Sequence, residues 1–403
     1  MCDCRYFDSF SSFQVASNTK YAARKGWPHN QLERRGTGYL EGMPEEQQRV
    51  ALIFDDADEY RPEPPPAPEI PAWKDGSTRI GIHTSIAGDI AGSLDIAHGL
   101  GANALQIFSA SPRMWGQGAS RIAEADAARF RERRKELGLG PVVIHGNYLI
   151  NMASPNPVLR TRSAQAFHQE AVRAMALGAD YLVIHPGSGR DGDRNTAIGA
   201  IVQSMRQALR GLKLGDLKIL IENTAGQGAS LCWQFEEMKA ILDGCRDIAL
   251  GVCVDTAHVF AAGHDIRNAE GLETALQTID RTVGLDRVFV VHVNDSKTDL
   301  GSRVDRHEHI GKGKIGIEAF RRILNHPLLA GRAFILETPI DLPGDDKRNV
   351  AVLWKLLGRD VKATGNGMKP RPHAAARTRK APTRKARKTS KGKKRAKSRT
   401  RGK

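Results

Sequence analysis

The sequence predicts an α/β fold, a closed (β/α)8 barrel of the TIM type spanning residues 78–361, flanked by a disordered N-terminal extension (1–77) and a disordered Lys/Arg-rich C-terminal tail (362–403). Three observations predict it. From Arg79 onward, short apolar runs alternate with longer stretches of helical periodicity. Runs such as VVIH, YLVIH and ILIE are continuously apolar, as parallel strands covered on both faces must be. Eight runs within about 280 residues match a closed barrel better than a doubly wound sheet, and no G-x-G-x-x-G or Walker loop follows the first one.

In order, the strand runs are 79–84, 104–109, 142–146, 181–186, 218–223, 250–256, 288–295 and 333–339. Between them, segments such as Ala123–Leu137 and Pro157–Leu177 repeat Leu, Phe, Ala and Val at three- and four-residue spacings, the pattern of a helix packed on a sheet. The extension 1–77 is polar and irregular and closes on RPEPPPAPEIP (Arg61–Pro71), which favours extended polyproline; its apolar run Val50–Phe54 is the stretch able to dock.

The formal net charge is +16, but it is localised: Lys362–Lys403 holds 18 Lys and Arg and no acid, leaving 43 basic and 45 acidic residues in 1–361. The near-neutral body therefore does not select a polyanionic partner by bulk charge; the tail does. Five scattered cysteines exclude a disulfide framework, and Cys2-x-Cys4 lacks the partners of a zinc knuckle. The N-terminus is not signal-like and no 18-residue apolar run occurs, so a soluble, cytoplasmic protein without membrane contact is expected, nucleoid-associated in a bacterial cell.

Seven of the eight runs end in, or pass directly into, a metal-binding residue type: His83, His145, His185, Glu222, Asp255, His292 and Glu337. In a parallel barrel the strand C-termini converge on one face, so these side chains ring one mouth. His258, and the pair Asp305 and His307, follow close behind strands. Each His alone reads as a hydrogen-bonded structural residue. The set does not, because ionisable groups repeated at one end of apolar strands concentrate desolvated charge that cations must neutralise. Imidazole and carboxylate without clustered thiolate suit catalytic zinc or manganese, and so many ligands imply more than one ion, as phosphodiester hydrolysis uses.

The stretches HGNYLINMASP (145–155), HPGS (185–188), IENTAGQG (221–228), VDTAHVFAAGHD (254–265), HVNDSK (292–297), GSRVDRHEHIG (301–311) and LETP (336–339) closely resemble endonuclease IV, the zinc-dependent apurinic/apyrimidinic endonuclease family, from Arg79 to about Leu357. The resemblance implies three zinc ions per chain, with manganese able to replace part of the set. His145, His185 and Glu222 would hold one; Glu222, Asp255, His292 and Glu337 a second; His258, Asp305 and His307 a third. His83 matches a family histidine that is not a ligand. The implied reaction is hydrolysis 5′ to an abasic site in double-stranded DNA without a covalent intermediate, leaving a 3′-hydroxyl and a 5′-deoxyribose phosphate, with Glu222 orienting or deprotonating the attacking water; blocked 3′ ends would also be trimmed. A monomer is expected.

An abasic nucleotide is unstacked and costs less to turn out of the duplex than an intact one. SASPRMW (109–115) resembles the family's DNA-penetrating loop, with Arg113 as the wedge. Trp115 either supports that wedge or seals the barrel top, and Tyr148 and Leu149 stand where the family places a second inserting loop. Two departures stand out: Ala110 and Ser111 replace a common Lys-Asn, and Lys312 and Lys314 occupy commonly acidic positions. Two other readings are a metal-dependent sugar isomerase or epimerase, which has no need of the His258, Asp305 and His307 group or the Arg113 loop, and a non-catalytic DNA-binding protein in which the tail is the working part.

The tail's composition cannot bury a core. It serves either as a solubilising or localising extension or, the preferred reading, as an electrostatic tether on DNA. Truncation after Arg359 is then expected to leave turnover at saturating substrate nearly unchanged, while binding to undamaged duplex falls about tenfold or more and the slope of log affinity against log salt flattens by several units. An unchanged slope, read from binding titrations across a salt series, would overturn the tether.

Overall fold

The computed structural model describes residues 78–115, 122–189 and 193–358. The expected extension 1–77, with Val50–Phe54 and Cys2-x-Cys4, and the expected tail 362–403 lie outside the described residues.

The strands are β1 (Arg79–His83), β2 (Ala104–Phe108), β3 (Val142–His145), β4 (Tyr181–Ile184), β5 (Lys218–Glu222), β6 (Leu250–Asp255), β7 (Val288–His292), two short ones, β8 (Asp295–Ser296) and β9 (His307–Glu308), and β10 (Ala333–Leu336). β1 to β7 and β10 close an eight-stranded barrel in which every neighbouring pair is parallel; each strand neighbours the next barrel strand in the chain, and β10 returns to pair with β1. The expected run 288–295 divides: β7 stops at His292, and Asp295–Ser296 leaves the barrel to pair antiparallel with His307–Glu308. Asn294 accounts for the break, because its backbone N–H donates to Thr256 Oγ1 at 2.9 Å instead of to a neighbouring strand.

The helices are α1 (Gly92–Gly99), α2 (Glu124–Leu137), α3 (Pro157–Ala176), α4 (Arg194–Leu209), α5 (Phe235–Gly244), α6 (Thr256–Ala262), α7 (Ala269–Thr282), α8 (Ile317–Leu324) and α9 (Asp345–Leu356). Their starts are legible in the chain. Asn156 caps α3 by accepting from Val158 N and Leu159 N, with Pro157 in the first turn, where a missing N–H costs nothing. Asn268 caps α7 in the same way through Gly271 N. Among the described residues no helix is long and apolar enough to cross a membrane.

Alternation along each strand divides the barrel into two cores. Outward residues such as Val142, Ile144, Ile219, Ile221 and Val252 pack under the helices. Inward residues form a separate cluster including Ala104, Val143, Tyr181, Val183, Leu220, Cys253, Phe289, Val290 and Ile335. The barrel is thus plugged by side chains below its mouth.

Gly251 leaves room for that plug. A Cβ there would lie 2.6 Å from Phe289 Cδ2 and 2.8 Å from Leu220 Cδ2. Gly251→Ala is expected to destabilise by about 1–3 kcal/mol through overpacking, read as a lower urea midpoint at unchanged slope.

Candidate active site

The inward register continues one step past the apolar plug, and there the chemistry changes. Val143 is followed two residues later by His145, Val183 by His185, Leu220 by Glu222, Cys253 by Asp255, Val290 by His292 and Ile335 by Glu337. Period-two geometry therefore lifts all six polar side chains to the same end of the barrel. Asp255 does more: its Oδ1 accepts from His258 N at 2.8 Å and so caps α6, the helix that carries His258. Asp305 and His307 arrive on the loop that pairs β9 with β8.

Glu222, at 0% exposure, is the centre. Its Oε2 lies 3.3 Å from His145 Nε2 and 3.4 Å from His185 Nε2, and its Oε1 lies 3.0 Å from His292 Nδ1 and 3.5 Å from His258 Nδ1. His292 Nδ1 is also 3.3 Å from Glu337 Oε2. Asp305 spans the remaining pair, its Oδ2 3.1 Å from His258 Nε2 and its Oδ1 3.4 Å from His307 Nε2. The structure thus brings together the nine side chains expected as ligands. Donor atoms of His145, His185 and Glu222 fall within 4.8 Å of one another, as do those of Glu222, Asp255, His292 and Glu337, and those of Asp255, His258 and His307. His83 stands aside, with Nδ1 3.6 Å from Glu337 Oε1 and its ring against Phe108.

The electrostatics are those of a cation site. Burial opposes ionisation of Glu222, yet the neighbouring His185 and His292, with the close imidazole of His145, hold its carboxyl well below the usual range. Burial likewise disfavours a charged His258, but Asp255 and Asp305 raise its affinity for a proton well above normal. Carboxylates and imidazoles at this spacing must be neutralised by protons or by metal. Three buried atoms decide which fits: Glu222 Oε2, His258 Nε2 and His307 Nε2 make no hydrogen bond. Lone pairs aimed at a common space without a proton partner are what metal ligation uses. Cys253 also lies within reach of Glu222 and His292, but burial pushes its thiol up to about 12, so it offers no thiolate.

Comparison with known proteins gives the family. A family model described as xylose isomerase-like TIM barrel matches residues 94–354. A probable endonuclease 4 of Solibacter usitatus is 47% identical over 286 residues, covering 70% of this chain and 97% of that protein. This chain belongs to the endonuclease IV family. The crystal structure of endonuclease IV from Thermus thermophilus superposes with a TM-score of 0.62 at 40% identity, covering 70% of this chain and 99% of that one. A D-tagatose 3-epimerase-like protein superposes at 0.53 with 18% identity and shares the fold alone. As an endonuclease IV family member, the chain is an enzyme of the deoxyribonuclease IV type, which sets aside the sugar-isomerase and the non-catalytic readings.

Around the mouth of this endonuclease IV barrel, the loops after β2 and β3 carry the other residues singled out in the sequence. Arg113 and Met114 are exposed, Met114 by 63%, whereas Trp115 is half-buried with the Arg162 guanidinium of α3 4.6 Å from its ring. Tyr148 is 47% exposed, its ring edge-on to Phe108 at 5.1 Å, and Leu149 is half-buried. Lys312 and Lys314 are exposed on a loop that closes around the Asp295 carboxylate, which accepts from Gly311 N, Gly313 N, Ile315 N and Gly316 N.

Four residues escaped the sequence reading. Asn223 accepts from Asp255 N at 2.7 Å, and Asn294 donates to Asp255 Oδ2 at 2.6 Å while accepting from Glu337 N at 2.8 Å. Asn147 ties two loops together by donating to Ser111 O (3.2 Å) and Met114 O (2.9 Å) and accepting from Leu149 N (2.7 Å). Gln106 is the inward polar residue of β2, the one barrel strand with no metal-binding residue type at its end. A polar residue inside the apolar run ALQIF was the available signal.

Proposed function

We propose that this chain hydrolyses the phosphodiester 5′ to an abasic nucleotide in double-stranded DNA, leaving a 3′-hydroxyl and a 5′-deoxyribose phosphate. Three zinc ions per chain serve it, held by His145, His185 and Glu222, by Glu222, Asp255, His292 and Glu337, and by His258, Asp305 and His307. The observation that carries the reading is the meeting of the first two groups on one fully buried carboxylate, Glu222, with the third group adjacent through His258. Zinc, when bound, supplies a nucleophile at neutral pH and positive charge opposite the phosphate and the departing oxygen. All nine side chains come from one chain, which is consistent with action as a monomer.

The residues then divide the work. Glu222 orients the attacking water and takes its proton at the carboxylate. Asp255 aligns His258 through the α6 cap while facing the same space. In this reading hydrolysis is direct, with no group transferred to the protein, because the nine carboxylates and imidazoles serve as metal ligands. The same charges suit a phosphate or phosphoglycolate on a blocked 3′ end, so trimming accompanies cleavage. Arg113 fills the gap left in the base stack and Tyr148 and Leu149 enter from the neighbouring loop; Lys312 and Lys314 add positive potential at the rim.

Two measurements test this. Glu222→Gln is expected to lower cleavage of a duplex with one abasic analogue by about a hundredfold or more, with far-UV circular dichroism unchanged, and exhaustive chelation should abolish cleavage until zinc is restored. Near-wild-type turnover in either case, or elemental analysis finding no metal in the purified protein, would overturn the mechanism. Arg113→Ala is expected to weaken binding to abasic duplex by roughly 1–3 kcal/mol more than to undamaged duplex. Equal weakening of both would reduce Arg113 to a phosphate contact.

A further inference from the structure

We infer that Gln106 is a positioning residue that selects which ring nitrogen of His292 faces the metal site and holds Glu337 beside it, an inference that rests on the metal reading above. Three of the other four ligand histidines frame the argument. His145 Nδ1 lies 2.9 Å from Gly146 O, His258 Nδ1 2.9 Å from Asn223 O and His307 Nδ1 3.2 Å from Glu337 O. In each, a backbone carbonyl takes the Nδ1 proton and leaves Nε2 to face the site. His292 is reversed. Its Nδ1 faces Glu222 and Glu337, and its Nε2 lies 2.8 Å from Gln106 Oε1.

The orientation of the Gln106 amide follows from its other neighbours. The Glu337 carboxylate offers hydrogen-bond acceptors, so the amide nitrogen, and not the amide oxygen, faces Glu337 Oε1. The second amide hydrogen reaches His83 Nδ1 at 3.0 Å. The amide oxygen is then left for His292, which has to donate from Nε2. That donation keeps the Nδ1 lone pair free for a cation. Gln106 is 0% exposed, so no bulk water replaces it.

A backbone carbonyl survives any substitution, but this acceptor does not. Removing it leaves a buried N–H without a partner and allows the ring proton to move to Nδ1, where Glu222 Oε1 at 3.0 Å accepts it and blocks ligation. The two duties of Gln106 are separable. Gln106→Leu removes both, whereas Gln106→Glu keeps an acceptor for His292 Nε2 but sets a second carboxylate against Glu337.

The test is zinc binding by the full chain, measured by competition with a chromophoric chelator, together with nitrogen-15 NMR of histidine-labelled zinc-loaded protein. Expected are zinc affinities about 10- to 100-fold weaker in Gln106→Leu and a His292 ring carrying its proton on Nε2 in the wild type and in Gln106→Glu. Wild-type affinity in Gln106→Leu, or a wild-type His292 protonated on Nδ1, would overturn the inference; the second needs no variant to fold. A wild-type chain that takes up no zinc overturns the metal reading and this inference with it, whereas normal wild-type uptake with unchanged binding in Gln106→Leu overturns the inference alone.

Discussion

A carboxylate with no solvent exposure, Glu222, sits within 3.5 Å of four imidazoles, and the rest of the barrel mouth answers to that charge. An ion stripped of water is costly unless opposite charge is held rigidly against it. His145 and His292 come from barrel strands, His185 from the residue after β4 and His258 from the first turn of α6. Each reaches Glu222 only if its strand keeps its register. Removing one partner from such a group typically costs about 3–5 kcal/mol, because the remaining charge stays buried. The site and the strand register therefore constrain each other.

The barrel meets that demand by separating support from chemistry along each strand. One inward layer is apolar and fills the lumen, with Tyr181 and Phe289 at 5.5 Å between ring centroids. The next inward position carries the charge. Residues that look incidental then brace the layer from behind: Asn223 and Asn294 hold Asp255 from two sides, and Thr256 Oγ1 donates to Asn294 O at 2.7 Å. Charged side chains seated on an apolar plug and braced by these hydrogen bonds are held in place before any substrate arrives, the pre-organisation that electrostatic catalysis requires.

The strands and their polar ends were legible in the sequence because both follow a local rule. An apolar run that finishes in His or Glu says where it lies and which end matters, and a parallel barrel brings those ends together. The braces obey no local rule. Gln106 looks like one polar interruption of ALQIF; its meaning depends on His292 and Glu337, which lie 186 and 231 residues along the chain. Asn147 likewise reads as a loop residue until its amide is seen on Ser111 O and Met114 O. The short pairing of Asp295–Ser296 with His307–Glu308 was hidden inside an expected strand, because the backbone switches partners at Asn294 with no change in apolar character before it.

The same contrast bears on recognition in the proposed reading. A side chain that enters a duplex loses conformational freedom, and a loop already fixed loses less. The loop after β2 is held at several points. Ser109 hydrogen-bonds Glu170 and accepts from Arg173 Nε at 2.7 Å, Asn147 grips the backbone at Ser111 and Met114, and Arg162 covers Trp115. Arg113 and Met114, at its tip, project into solvent between these anchors. Because Asn147 immediately precedes Tyr148 and lies two residues after His145, the clamp on one loop is part of the other, and both are rooted on a strand that ends in a metal-site histidine. A lesion that fits the two loops is therefore presented to the buried charges through a few fixed bonds, so that selectivity and chemistry share one rigid support rather than communicating across a flexible one.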